Sequence, residues 1–186
     1  MVDYPNYTDP ALYCGTYGKY NSGSIAGEWL QLNDYTDEEI FWADCRQVHK
    51  AEYDPEFMFQ DMSDLPRALY QECGVHPELW SWLRLDDDHR QLAAILMAQS
   101  WDPANAIEAA EEGTVQLYEG RLDFFAHERI DALYEHNLPD NYIDAEAYAR
   151  DLILSGDVAL VKPDTDASAA NWITADHAIW LIGANR

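Results

Sequence analysis

The apolar positions of this chain recur at two periods, one short and one helical, and the switches between them mark the elements. Residues 12–17 and 27–32 follow the short alternation of strands, with Asn21-Ser22-Gly23 reading as a turn between them. Ile40, Phe41, Cys45 and Val48 then recur at helical spacing. Thr36 is the expected N-cap of that helix, Glu39 its capping-box partner, and Tyr35 with Ile40 its hydrophobic staple. Residues 57–62 read as a third strand, so an α+β unit is expected to close near Asp64.

Helices dominate the middle of the chain. Pro77 stands as an N1 residue ahead of Leu79, Trp80 and Leu83, and Asp88 as the cap of a helix carrying Leu92, Ile95 and Leu96. Asp102-Pro103 repeats the cap-plus-N1 signature, and Gly113 is placed to end that helix. Residues 114–118 read as a short strand. A strong helical pattern covers 121–137, with Leu122, Phe125, Ala126, Ile130, Leu133 and Tyr134 on one side. After Pro139, Asp140 is expected to cap a helix to about Leu154, supported by the Glu146–Arg150 spacing and stopped at Ser155-Gly156. Residues 158–162 and 177–182 read as paired strands around a long loop, or a frayed extra strand near Trp172-Ile173. The predicted class is therefore α+β in three small domains. Residues 1–64 and 119–186 mix short antiparallel strands with helices, and 65–118 are mostly helical.

Charge changes the picture. The chain has 186 residues, with 35 Asp and Glu against 11 Lys and Arg, a net charge of −24. Extreme acidity usually goes with disorder, but here 48% of residues are hydrophobic and 13% aromatic, which supports a packed core. The charge is spread evenly: residues 1–93 hold 18 acids and 6 bases, residues 94–186 hold 17 and 5. Direct nucleic-acid binding needs a cationic footprint and is not expected. Cys14, Cys45 and Cys73 are an odd set without CxxC spacing, so no disulfide framework is expected. The opening residues carry no charged and apolar signal pattern, and no apolar run reaches membrane-spanning length. A reducing cytoplasm is the expected compartment.

Sites for chemistry are scarce. Gly18-Lys19 is followed by Tyr20 and not by the Ser or Thr of a phosphate loop. The segment starting at Asp164 lacks the glycine and terminal glutamate of a calcium loop, because Ala169 and Ala175 fall there. Cys45-x3-His49 with Cys73-x2-His76 has zinc-like spacing, but Cys45 lies on an apolar stripe, where a free cysteine acts as a small hydrophobe. No nucleophile–base pattern emerges from six scattered histidines. No metal, cofactor or catalytic residue is predicted. A hydrolase working through an acidic pair stays open as a lesser reading.

The carboxylates remain. Several sit in first helical turns, where negative charge complements the dipole. Glu108, Glu111 and Glu112, and then Asp123, Glu128, Asp131 and Glu135, lack the basic i+4 partners that would balance a solvated face. With Asp86, Asp87, Asp144 and Asp151 they form the predicted partner-binding anionic surface. Acids one helical turn apart stand about 5.4 Å apart along the axis. Duplex DNA carries one charge per roughly 1.7 Å, so 24 charges at that density match about 40 Å of duplex, an upper bound on mimicry. A rigid anionic decoy for a DNA-binding protein is the leading reading. The alternative is a halophile-style protein whose acidity serves solubility, consistent with only three lysines, Lys19, Lys50 and Lys162.

Two stretches resemble antirestriction proteins of the ArdA family. The first is Tyr13-Cys14-Gly15-Thr16-Tyr17-Gly18-Lys19-Tyr20-Asn21-Ser22-Gly23-Ser24-Ile25-Ala26-Gly27-Glu28-Trp29, continuing to Pro55-Glu56-Phe57-Met58-Phe59-Gln60-Asp61. The second is Leu138-Pro139 followed by Tyr142-Ile143-Asp144-Ala145-Glu146-Ala147-Tyr148-Ala149-Arg150-Asp151-Leu152. The resemblance implies an elongated row of three domains, dimerising through the last, that mimics B-form DNA. It implies a non-enzymatic inhibitor that occupies the DNA-binding groove of type I restriction-modification enzymes and protects incoming mobile-element DNA. Leu138, Pro139, Tyr142, Ile143, Tyr148 and Leu152 would then serve packing or the dimer. Residues 162–176 lengthen the last hairpin beside that region.

Overall fold

The computed structural model describes residues 7–134, 144–161 and 172–183. The fold is α+β, with two small antiparallel sheets of three strands each. It divides into two compact units, Tyr4–Glu111 and Glu112–Arg186.

In the first unit, β1 (Ala11–Thr16) is the central strand between β2 (Glu28–Gln31) and β3 (Phe57–Ser63). A register shift at Tyr13/Cys14 makes Gln60 the extra residue of a bulge in β3. Thr16 ends β1 and caps a five-residue helix, α1 (Tyr17–Asn21), by accepting the Lys19 N–H at 3.2 Å. The sequence had suggested only a turn there, because five residues with a glycine carry no helical stripe. Helix α2 (Glu38–Val48) covers one face of the sheet. Phe41 and Cys45 are fully buried with Leu12, Cys14 and Phe59, and Phe41 meets the edges of Tyr35, Trp42 and Trp80.

Two expectations about α2 are corrected. Its cap is Asp37 and not Thr36: Asp37 is extended and accepts the Ile40 N–H at 3.1 Å. Ile40, the expected staple partner of Tyr35, is 46% exposed, and the Tyr35 ring packs on the buried Phe41. The same unit continues through α3 (Leu79–Leu83), α4 (Asp87–Ala98) and α5 (Pro103–Glu111). Pro77 lies in the turn before α3, and the cap of α4 is Asp86, not Asp88. Asp102 does cap α5, accepting the Ala104 N–H at 3.0 Å. Trp82 is fully buried and donates its indole N–H to the Arg90 carbonyl at 3.1 Å. The Arg90 guanidinium lies over that ring and donates to the Leu83 carbonyl at 2.6 Å, so the buried charge has partners.

The second unit contains β4 (Gln116–Glu119), α6 (Leu122–Tyr134), α7 (Ala145–Ser155), β5 (Val158–Leu160) and β6 (Ile179–Ile182). Its sheet runs β4-β6-β5, so the predicted pairing of the last two strands is present. Leu122 and Ala126 of α6, Ala149 and Leu152 of α7, and Val158, Ile173 and Trp180 form the core. Trp180 donates its indole N–H to the Gly120 carbonyl at 3.0 Å. Gly156 ends α7 in the left-handed region at φ +82°, as expected from Ser155-Gly156. Trp172 and Ile173 form a helical turn, not a strand. Asp144 caps α7, accepting the Ala147 N–H at 2.9 Å; Asp140, the predicted cap, lies outside the described residues.

Candidate partner-binding surface

Helix termini place many of the carboxylates. Asp37, Asp86, Asp102 and Asp144 each point a carboxylate at the free N–H groups of a first helical turn and remain exposed to solvent. Asp86 accepts both the His89 N–H at 3.0 Å and, from the ring, a contact at 2.8 Å; the backbone bond above all holds its pKa below the ordinary range. Asp87 and Asp88 stand exposed in the first turn of α4.

The other predicted acids differ in exposure. Glu108 and Glu111 are exposed one turn apart on α5, and Glu112, Glu128 and Asp151 are exposed in the second unit. Asp131 is half-buried, its carboxylate 3.3 Å from His127 Nδ1. Asp123 departs from the expectation. It is only 8% exposed, accepts the Arg121 Nε–H at 3.1 Å and a second bond from the same guanidinium, and accepts its neighbour's N–H at 3.1 Å. Those Arg121 bonds hold its pKa down. Asp123 therefore anchors the start of α6 and does not present free charge. Glu135 lies outside the described residues, as do Leu138, Pro139, Tyr142 and Ile143. Of the remaining family-motif residues, Leu152 is buried in the second core and Tyr148 packs against it, which gives both a packing role.

A polar network joins α1 to the end of α2. His49 is buried, and its Nε2 lies 3.1 Å from the Cys14 carbonyl, which requires a proton on that nitrogen. Its Nδ1 then accepts from Lys19 Nζ at 2.8 Å. Lys19 also pairs with Glu52 at 3.2 Å, and Thr16 donates to the same carboxylate at 2.8 Å. This arrangement fixes His49 in a structural role. Cys14 and Cys45 meet in the core through a thiol–thiol hydrogen bond that lowers the first pKa and raises the second. Cys73 is exposed. Of the four residues with zinc-like spacing, Cys45 is hydrogen-bonded to Cys14, His49 to Lys19 and the Cys14 carbonyl, and His76 Nδ1 accepts the Glu78 N–H at 3.1 Å. Among the described residues, no group of three His, Cys, Asp or Glu is placed to hold a metal, and no helix is long and apolar enough to cross a membrane.

These features define an acidic α+β protein whose surface chemistry is dominated by carboxylates. However its bases are arranged, 11 cations leave 24 of 35 acids uncompensated within the chain. The family profile described as antirestriction protein (ArdA) matches residues 12–165. The chain belongs to the ArdA antirestriction family, and membership implies an antirestriction function. No curated protein matches the chain.

Proposed function

We propose that this protein is a DNA mimic that occupies the DNA-binding groove of a type I restriction-modification enzyme and so shields incoming mobile-element DNA. The observation that carries this reading is the excess of exposed acids held on helices, with 24 more acids than bases in the chain. Glu108, Glu111, Glu112, Glu128 and Asp151, with the capping acids Asp86 and Asp144, supply exposed charge of the sign that a groove built for phosphates attracts. The protein acts without catalysis and in the cytoplasm of a bacterial host. It works as a homodimer, and its three-domain division at 1–64, 65–118 and 119–186 belongs to the same proposal.

The test is displacement of a labelled duplex from a purified type I restriction-modification enzyme across a salt series. Displacement that weakens steeply with salt is expected, as for phosphate contacts. Absence of displacement at low salt and high excess would refute the reading and return the acidity to solubility.

A further inference from the structure

The face of the first sheet opposite α2 carries a pocket of about 420 Å³. Its walls are aromatic: Tyr13 from β1, Trp29 from β2 and Tyr20 from α1. Tyr13 and Trp29 meet edge to face at 5.4 Å. The Tyr13 hydroxyl donates to the Ile25 carbonyl and accepts the Gly27 N–H, both at 3.0 Å, which fixes the loop above the sheet. Trp29 is 43% and Tyr20 52% exposed, so both side chains are accessible to a ligand.

Gln60 and Asp61 contribute acceptor oxygens to the pocket. Gln60, the bulged residue of β3, lays its amide over Gly15, where any Cβ would meet Oε1 at 2.8 Å. That Oε1 is buried and, among the described residues, has no hydrogen-bond donor. A buried acceptor left unmatched is costly, so turning the Gln60 amide from Gly15 to meet a donor in the pocket recovers that cost. Asp61 lines the pocket, one of its carboxylate oxygens accepting the Met62 N–H at 2.8 Å, and none of the residues lining the pocket is basic. Accessible aromatic side chains, an unmatched acceptor and a carboxylate together select a cation that carries hydrogen-bond donors.

We propose that this pocket takes a basic side chain, arginine ahead of lysine, from the protein partner that the acidic surface engages. Guanidinium is planar, stacks on aromatic faces and keeps N–H groups in its plane for Gln60 and Asp61, which a compact ammonium does less well. The proposal rests on the decoy reading above, because a face that ordinarily holds nucleic acid is rich in such side chains. It adds one anchored contact to an otherwise distributed attraction.

The probe is arginine amide, titrated into the whole labelled protein and followed by NMR, with the uncharged citrulline amide at matched ionic strength as its comparison. Shifts should concentrate on Gly15, Gly27, the Trp29 indole and the Gln60 side chain, with arginine amide well ahead of citrulline amide. Trp29→Leu should weaken binding about two- to fivefold. Asp61→Asn, which leaves the walls intact, should weaken it up to about fivefold. Equal shifts with citrulline amide, shifts spread evenly over exposed acids, or no shift in the pocket would each overturn the proposal. In the displacement assay both variants should lose potency. Unchanged potency beside a displacing wild type would refute the pocket's role alone, whereas failure of the wild type itself would refute the decoy reading and with it the partner.

Discussion

Asp123 separates charge that holds the fold from charge that faces a partner, and Asp123→Asn tests the division. The wild-type carboxylate takes two bonds from Arg121 and one from the Phe124 N–H. Oδ1 accepts both the Arg121 Nε–H and the Phe124 N–H, so asparagine keeps those two bonds and loses the charge and the second guanidinium bond. Hydrogen bonds to charged groups are worth about 1.5–3 kcal/mol. Arg121 is 30% exposed and lies over the Phe124 ring, so its guanidinium stays solvated when the pair breaks. That places the cost near the lower end, about 1.5–2 kcal/mol. If this unit melts by itself, each kcal/mol shifts Tm by about 4–8 °C, and calorimetry should find a drop of about 6–16 °C. The pH dependence supplies an internal check. Arg121 holds the folded pKa below the unfolded value of about 3.9, so the contribution is fully present above that value and is lost as pH falls through the folded pKa. The difference between wild type and variant should stay constant from about pH 5 to 7 and shrink below about pH 4. Inhibition by the folded variant should match wild type. An unchanged Tm, a difference as large at pH 3 as at pH 6, or lost inhibition without lost stability would refute the argument.

Four further outcomes follow from the same geometry. Combining Asp87→Asn, Glu111→Gln, Glu112→Gln, Glu128→Gln and Asp151→Asn should weaken duplex displacement at least tenfold, since five contacts at about 0.3–0.5 kcal/mol sum past 1.4 kcal/mol; each change alone should stay within about threefold. Asp144→Ala removes the cap of α7 and should cost about 1 kcal/mol by chemical denaturation, while Asp144→Asn should cost much less. Leu152→Ala should cost about 2–5 kcal/mol, because the side chain is 4% exposed within the second core. Gly183→Ala should destabilise the same unit by at least about 1 kcal/mol, since φ is +83° and the new Cβ would lie 2.4 Å from the Thr114 carbonyl oxygen.

The elements with strong periodicity were legible in the chain. Strands β1, β2 and β3, the pairing of β5 with β6, and helices α2, α5 and α6 all follow from alternation, caps and glycine stops. What failed was the choice among adjacent candidates. Thr36 and Asp37 can both cap, as can each member of Asp86-Asp87-Asp88, and propensity cannot separate them; the backbone turns helical one residue after the side chain that reaches back. Asp123 was misassigned for a different reason. Its i+3 and i+7 positions, Ala126 and Ile130, are apolar and shared with the core face, and Arg121 two residues earlier was the available signal of a local pair. The pocket on the first sheet had no such signal. Its residues come from three strands, a short helix and a loop, and the bulge that turns Gln60 over Gly15 is set by pairing, not by local sequence.

A net charge of −24 repels itself, and the caps show how the fold tolerates part of that cost. At Asp37, Asp86, Asp102 and Asp144 the carboxylate sits at the positive end of a helix and accepts its unsatisfied N–H groups, which stabilises each helix start. These groups stay exposed, so one charge serves both the helix and the outward field. Neutralising a cap therefore changes stability and surface charge together, and such a variant cannot distinguish a weakened decoy from a loosened helix. Acids such as Glu111, Glu112, Glu128 and Asp151 are exposed and are not the caps of these helices. Removing their charge relieves repulsion while leaving the helix starts intact. If the decoy reading is right, a variant neutral at these four acids alone should be at least as stable as wild type and yet a poorer inhibitor. That opposition between stability and potency is what a surface charged for a partner, and not for its own fold, requires.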